Sequence, residues 1–436
     1  MHTFSDIYRT DNSGNGLDTD TVRQALAASL AGRTLRRVLI LPPDFTRFHS
    51  GAGLITNLYY HLLTEMGATV DVMPALGTHV AMTNAQTDKM FGDIPHDRFL
   101  VHRWREDVTR IGEVPGDFLS SVTDGLWHDP IAVEINRRLL DPAYDLIISP
   151  GQVVPHEVIG MANHAKNIFV GVGGSEMINK SHMVGAVYGM ERIMGKDHSP
   201  VRALFDYAFT HFLLSALSVP VLFVLTVCTA PTGISRMHGL FIGEGRACLE
   251  AAIALSQKKN IDFVPHGIQK CVAYLDPEEF HTTWLGNKAI YRTRMAIADG
   301  GELIILAPGL GGFGEDPAVD ALIRKYGYRG RLHTLSLFED PACGDLRQNM
   351  GAAAHLIHGS SDDRFRITYA VPKSMCANIR DVGYNAADIV QMTARYNPAR
   401  LTAGYNTLPD GEEIYFIPNP ALGLWIDRER FAQDNP

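Results

Sequence analysis

The chain has 436 residues, 46% of them hydrophobic, enough to bury one large core or two medium ones, and this length favours two domains. Its formal net charge of -9, with no Lys/Arg run to track phosphates, excludes nucleic acid as an expected partner. The five cysteines, Cys228, Cys248, Cys271, Cys343 and Cys376, are odd in number, widely spaced and free of any CxxC pair. They suggest neither a disulfide framework nor a thiolate zinc site and fit a reducing cytoplasm.

The opening residues are polar and lack a basic segment followed by an apolar one, so no secretory signal is expected and a cytoplasmic location is read. Short apolar runs then alternate with helical patterns: a strand at 37–41, a helix at 53–66 and a strand at 69–76. This is the grammar of a parallel sheet covered by helices. Further strands are expected at 145–149 and 167–172, and Met183, Val187, Met190 and Met194 form an apolar stripe on a helix beginning near Ser181. Residues 212–230 are almost long enough to cross a bilayer. Pro220 instead divides them into the end of a helix that starts near Val201 and a buried strand at 221–227, so no membrane is expected.

A helix at 243–257 ends in Lys258, Lys259 and Asn260. A second series follows, with a strand at 269–274, a helix at 287–298, a strand at 302–306, a helix at 317–326 and a strand at 332–337. The expected fold class is therefore α/β, with two α/β domains of mainly parallel sheets, residues 1–260 and 261–436. The active site is expected in a cleft between them, at strand C-terminal ends.

Polar residues collect where those strands end. Asp44-Phe45-Thr46-Arg47 follows the first strand: Arg47 is suited to fork onto a carboxylate, and Asp44 to orient a neighbouring histidine or arginine. An isolated DxTR is more often a turn ion pair, but Gly77-Thr78-His79 closes the next strand and brings a candidate base to the same region. The segment 155–182 holds His156, His164, Lys166, Lys180 and His182 among glycines. His156-Glu157 does not continue to HExxH, which disfavours a helix-borne zinc hydrolase. Lys166 precedes an expected buried strand, where a desolvated amine loses basicity and becomes nucleophilic; a lysine snorkelling from a strand edge is the plainer alternative.

In identity and spacing these residues resemble the lactate racemase family: Asp44 with Arg47 as DxTR, His79 in GTH, His156 ten positions before Lys166, and His182 sixteen positions after it. The resemblance covers much of 37–195. It implies a nickel pincer cofactor, a pyridinium mononucleotide bearing sulfur groups, joined to Lys166 by a thioamide and made by separate maturation proteins. It implies His182 as the nickel ligand, chemically suited to that metal, His79 and His156 as the acid/base pair, and Arg47 with Asp44 at the small-molecule 2-hydroxyacid substrate. The implied reaction is racemisation or epimerisation at C2. The hydroxyl loses its proton while hydride leaves C2, giving a planar 2-keto acid, and hydride return to the other face inverts the centre.

The chain departs from the family at several points. Its lysine is preceded by Gly160-Met161-Ala162-Asn163-His164-Ala165 in place of a glycine-rich SGGRK context, and Phe48 stands where proline is usual. Of a second-domain QxxK pair only Lys288 is found, with Leu285 in the glutamine position, and Arg347, Gln348 and Asn349 lie where an apolar tryptophan helix is expected. Such side chains would hydrogen-bond additional hydroxyls, pointing to a polar or sugar acid such as D-gluconate rather than lactate, or they simply cap a surface helix.

Two other readings compete. Gly309-Leu310-Gly311-Gly312-Phe313-Gly314 satisfies GxGxxG after a strand, as in an NAD-dependent 2-hydroxyacid dehydrogenase. Glu315-Asp316 beside the helix start would repel a pyrophosphate, and a glycine-rich loop on the second domain is expected instead. A non-catalytic nickel or solute carrier is the third class.

Overall fold

The computed structural model describes residues 4–11, 13–230 and 234–433, and the chain falls into two compact units, 1–181 with 193–260 and 182–192 with 261–436. The division lies inside the helix Ser175–Tyr188.

The first unit is built on a six-stranded sheet. Its strands are β1 (Ile7–Thr10), β2 (Arg37–Ile40), β3 (Thr69–Val72), β6 (Leu146–Gln152), β9 (Val221–Thr229) and β10 (Arg236–Gly243), and they stand in the order β1-β10-β9-β6-β2-β3. The four strands from β3 to β9 run parallel, and β10 and β1 add antiparallel edges. Two small antiparallel pairs complete the unit: β4 (Val108–Val114) with β5 (Ile131–Asn136), and β7 (Pro155–His156) with β8 (Gly160–Met161).

β9 lies between two hydrogen-bonded neighbours and is buried along all but its last residue, which is why its sequence is continuously apolar rather than alternating. The helix Pro200–Ala208 precedes it, and the chain turns at Pro220 to enter the sheet. Among the described residues no helix is long and apolar enough to cross a membrane. Helices Thr19–Leu30 and Ala52–Glu65 cover one face of the sheet through Leu26, Leu30, Ile55, Leu58 and Tyr59, which pack with Val38, Ile40, Val70 and Leu146.

The second unit repeats the α/β plan. Its strands are β11 (Asp262–Val264), β12 (Ile268–Tyr274), β13 (Ile297–Leu306), β14 (Arg366–Val371), β15 (Asn385–Asp388), β16 (Gly404–Thr407), β17 (Glu413–Ile417) and β18 (Trp425–Asp427). Six of them form one sheet in the order β15-β14-β13-β12-β17-β16, parallel except at β16, and β11 pairs with β18. Both units are thus α/β with mainly parallel sheets.

Three expected elements take another form. Residues 167–172 are not a strand: Asn167–Gly171 make a π-helical turn, with Ile168 and Phe169 fully buried. A four-residue apolar run fits a buried helix turn as well as a buried strand, and only the surroundings distinguish them. Residues 332–337 lie in the helix Arg331–Glu339, where Thr334 is buried and Leu332 is 77% exposed, so the apparent alternation of Leu332, Leu335 and Leu337 does not mark a core face. The helix expected over 287–298 ends at Thr293, and Ile297 already begins β13. The stripe helix starts earlier than expected, at Ser175, and ends at Tyr188, so Met190 and Met194 lie beyond it.

Candidate active site

The loops after β2 and β3 and the turn at 164–171 are joined by backbone hydrogen bonds. Ala75 N–H donates to the Pro42 carbonyl at 2.7 Å and Gly77 N–H to the Gly171 carbonyl at 2.8 Å. The Asn167 side-chain amide donates to the Leu41 carbonyl and to Ser149 Oγ, both at 2.9 Å. The turn that carries Lys166 is therefore fastened to the ends of β2 and β6, the edge at which parallel sheets gather ligands. Gly77 sits at φ +57°, a left-handed conformation for which glycine carries no Cβ penalty.

Asp44 is buried, and both its oxygens are engaged. Oδ1 accepts from Thr46 N at 3.2 Å and Thr46 Oγ1 at 2.5 Å, while Oδ2 meets His79 Nδ1 at 2.6 Å. Burial pushes the carboxyl up, but the bonds from His79 and Thr46 and the charges of His79 and Arg47 outweigh it and hold the group below the usual carboxylate range. An ionised carboxylate only accepts, so His79 Nδ1 carries a proton, and in the neutral ring Nε2 presents its lone pair. Asp44 thus orients the histidine, one of the roles expected for it. The His79 side chain is 54% exposed.

Arg47 lies exposed in the turn Phe45–Ser50, at a non-helical φ of -111°, and among the described residues its guanidinium makes no hydrogen bond or ion pair. Its field reaches Asp44 and Lys166. Lys166 is half-buried at the start of the π-helical turn, a distortion that recurs at functional sites. Its amine is pushed down to about 8, first by desolvation and then by the charges of Arg47 and Arg202, with Glu157 opposing.

His156 lies on β7, its side chain 13% exposed, and its Nδ1 accepts from Val158 N–H at 3.1 Å. In the neutral ring the proton is then on Nε2. In their neutral forms the two rings thus carry opposite tautomers, His79 with its proton on Nδ1 and His156 with its proton on Nε2. Glu157, 3.9 Å from His156 Nδ1 and acting on Lys166, belongs to the same group. So does Arg202, which is 1% exposed and reaches the Met161 carbonyl at 2.7 Å and the Asn163 carbonyl at 3.4 Å. The sequence reading passed over both. Glu157 was visible only as part of a failed HExxH, and Arg202 lies 36 residues after Lys166 with nothing local to mark it.

The remaining candidates belong to the second unit. His182 is half-buried on the helix Ser175–Tyr188. Lys288 opens the helix Lys288–Thr293, with its ammonium 5.8 Å from the Phe280 ring centre. Arg347 donates twice to the Phe338 carbonyl, at 2.9 and 2.6 Å, and Asn349 Oδ1 caps the helix Met350–His358 through Ala352 N at 3.0 Å. Both side chains are engaged in holding helix ends, the plainer of the two roles expected for them; Gln348 is exposed.

The GxGxxG loop lacks what a dinucleotide needs. Asp316 caps the helix Pro317–Tyr326 by accepting from Ala318 N and Val319 N, both at 2.9 Å, while Asp320 accepts from Phe313 N at 2.8 Å and Gly314 N at 3.2 Å. Carboxylates already occupy the amides that would receive a pyrophosphate. The glycines serve packing instead: a Cβ on Gly314 would lie 2.3 Å from Asp320 N.

Residues 15–193, which contain Asp44, Arg47, His79, His156, Lys166 and His182, match the family model described as the lactate racemase N-terminal domain. This part of the chain is thus similar to the N-terminal domain of lactate racemases. Its fold is similar to the crystal structure of a protein from Thermotoga maritima, with a TM-score of 0.76 and 21% identity over 94% of this chain and 99% of that one. It is also similar to the lactate racemase apoprotein from Thermoanaerobacterium thermosaccharolyticum, with a TM-score of 0.65 and 16% identity over 92% of this chain and 88% of that one. No curated protein matches the sequence. A lactate racemase-like domain in a lactate racemase-like fold supports an isomerase of the racemase or epimerase type.

Proposed function

We propose that the chain inverts C2 of a 2-hydroxycarboxylate, with a nickel pincer nucleotide attached to Lys166. The observation that carries this reading is the grouping at one sheet edge of an unpaired guanidinium, a carboxylate-oriented imidazole and an amine of lowered basicity. Arg47 would take the substrate carboxylate in a two-pronged hydrogen bond. His79 Nε2 would accept the hydroxyl proton, and Asp44 would stabilise the imidazolium that forms. His156, holding its proton on Nε2, would serve the opposite hydroxyl orientation as the acid, its proton passing to the keto oxygen as hydride returns to C2.

The residues present fit the cofactor. Burial and neighbouring cations lower the Lys166 amine to about 8, so that more of it is free base than in an ordinary lysine, the form that can be acylated. Among the described residues no three His, Cys, Asp or Glu side chains cluster as a metal site, so a nickel ion held by His182 would draw its other donors from the cofactor's sulfur groups. When bound, the cofactor would supply reversible hydride acceptance at C2, chemistry that no side chain offers.

The test is intact mass and metal analysis of protein made in cells that contain the maturation pathway, together with chiral separation of products. The expected result is a nickel-bearing adduct that disappears in Lys166→Ala, with interconversion of C2 epimers. Bound NAD would favour the dehydrogenase, and labile metal without turnover the carrier. For the substrate we propose a polar acid larger than lactate; a clear preference for lactate over D-gluconate would defeat that choice.

A further inference from the structure

A cavity of about 240 Å³ opens beside His79, lined by Leu76, Val101, Trp104 and Arg105 among others. It lies just below the range of about 300 Å³ and upward that holds drug-sized ligands, and so suits the remaining chain of a metabolite acid whose hydroxyl meets His79. Its wall is fixed. His102, 2% exposed, accepts from Asn136 Nδ2 at 2.9 Å on Nδ1 and donates through Nε2 to the Gly173 carbonyl at 3.1 Å. The loop is thereby tied to the turn that follows Lys166.

Two arginines stand in that wall, and they differ. Arg103 forks onto Asp107 at 2.9 and 2.8 Å and lies 3.2 Å from Glu106, so its charge is shared between two carboxylates. Arg105 makes no hydrogen bond or ion pair among the described residues. Its guanidinium carbon lies 3.7 Å from the Trp104 ring centre, a cation–π contact with the ring face that uses none of its N–H donors. Val101, 53% exposed at the same cavity, adds an apolar surface suited to a methylene chain.

We infer that this cavity is the subsite for the far end of the substrate, and that Arg105 selects 2-hydroxyacids carrying a second anionic group there, a hydroxydiacid or sugar diacid rather than a neutral-tailed acid. The inference rests on the reaction proposed above and names its substrate class. One carboxylate would lie on Arg47 and the other on Arg105, with C2 at His79 between them.

The experiment compares 2-hydroxyglutarate with 2-hydroxypentanoate, acids of equal chain length that differ in the terminal group. It measures kcat/KM for C2 inversion by the cofactor-loaded protein and calorimetric binding to the cofactor-free protein. A charge-assisted hydrogen bond at Arg105 is expected to favour the diacid about tenfold or more in both measurements. Arg105→Met should bring the ratio near one, and Arg105→Lys should retain part of it. Equal values for the two acids in the unaltered protein, or a diacid preference that survives Arg105→Met, would overturn the subsite. If both acids are inverted equally, the reaction stands and the subsite fails. If neither is inverted but the diacid still binds through Arg105, the subsite stands and the reaction fails.

Discussion

Asp44 and His79 are 35 residues apart in sequence and share a 2.6 Å hydrogen bond, so the state of the imidazole is decided by a side chain on another loop. Asp44→Asn keeps the size of the group and removes the charge, and it permits the amide to donate to Nδ1, which would move the ring proton to Nε2. The expected result is a fall in kcat of about 10²–10⁴-fold, the range for a positioned general base, with KM changed far less if Arg47 holds the carboxylate as proposed. Steady-state kinetics with the preferred hydroxyacid check this, and an unchanged kcat would remove Asp44 from the mechanism. Nothing in the sequence distinguishes an Asp44 that contacts substrate from one that orients a base. The bonds from Thr46 beside it and from His79 on the next loop show the orienting contact.

At the scale of the element, the turn around Lys166 shows how a local pattern is overridden. Asn163 and His164 adopt φ of +75° and +59°, left-handed values that cost L-residues roughly 1–2 kcal/mol each, where the family pattern has two glycines. Packing holds them there. The His164 ring lies 3.9 Å from the Phe223 ring centre, and the Arg202 guanidinium donates to the carbonyls of Met161 and Asn163. Asn167 then replaces strand pairing by bonding to Leu41 and Ser149 through its side chain. Asn167→Ala is expected to destabilise the protein by about 1–3 kcal/mol, the cost of leaving buried acceptors unmet, and to slow covalent loading of Lys166. Urea unfolding and intact mass would show both; full stability with normal loading would mean that the turn does not depend on this anchor.

At the scale of the whole molecule, each unit closes its own core, and the second holds a buried charge cluster. Arg294, 4% exposed, lies 3.0 Å from Glu191, and Arg364 lies 2.9 Å from the same carboxylate. Burial pushes Glu191 up, but the two guanidinium groups outweigh it and hold it below the ordinary glutamate value. A folded-state pKa lower than the unfolded one contributes stability that is present above about pH 4.3 and is lost as pH falls through the folded value. Glu191→Gln is therefore expected to cost on the order of 3 kcal/mol at pH 7, as for a broken buried pair. The difference from the unaltered protein should shrink as both are taken into acid. Denaturant titrations at pH 7 and pH 3 check this, and a constant difference would place the stabilisation outside the ion pair.

The sequence by itself determined the α/β class and the parallel core, and it named the candidate site residues. The β-branched apolar run 221–227 fits a strand buried on both faces, and the DxTR, GTH and His-Lys-His spacings are written in the order of the chain. Tertiary structure alone decided that residues 167–171 coil rather than extend, that Arg347 and Asn349 hold helix ends, and that Asp44 holds His79. It also decided that Arg202 and Glu157 act on Lys166 and that Arg105 is left unpaired on Trp104. Burial pattern is a property of near neighbours and survives in a linear reading. Which lone pair or N–H meets which partner depends on groups far apart along the chain, and that is fixed only once the strands have been laid side by side.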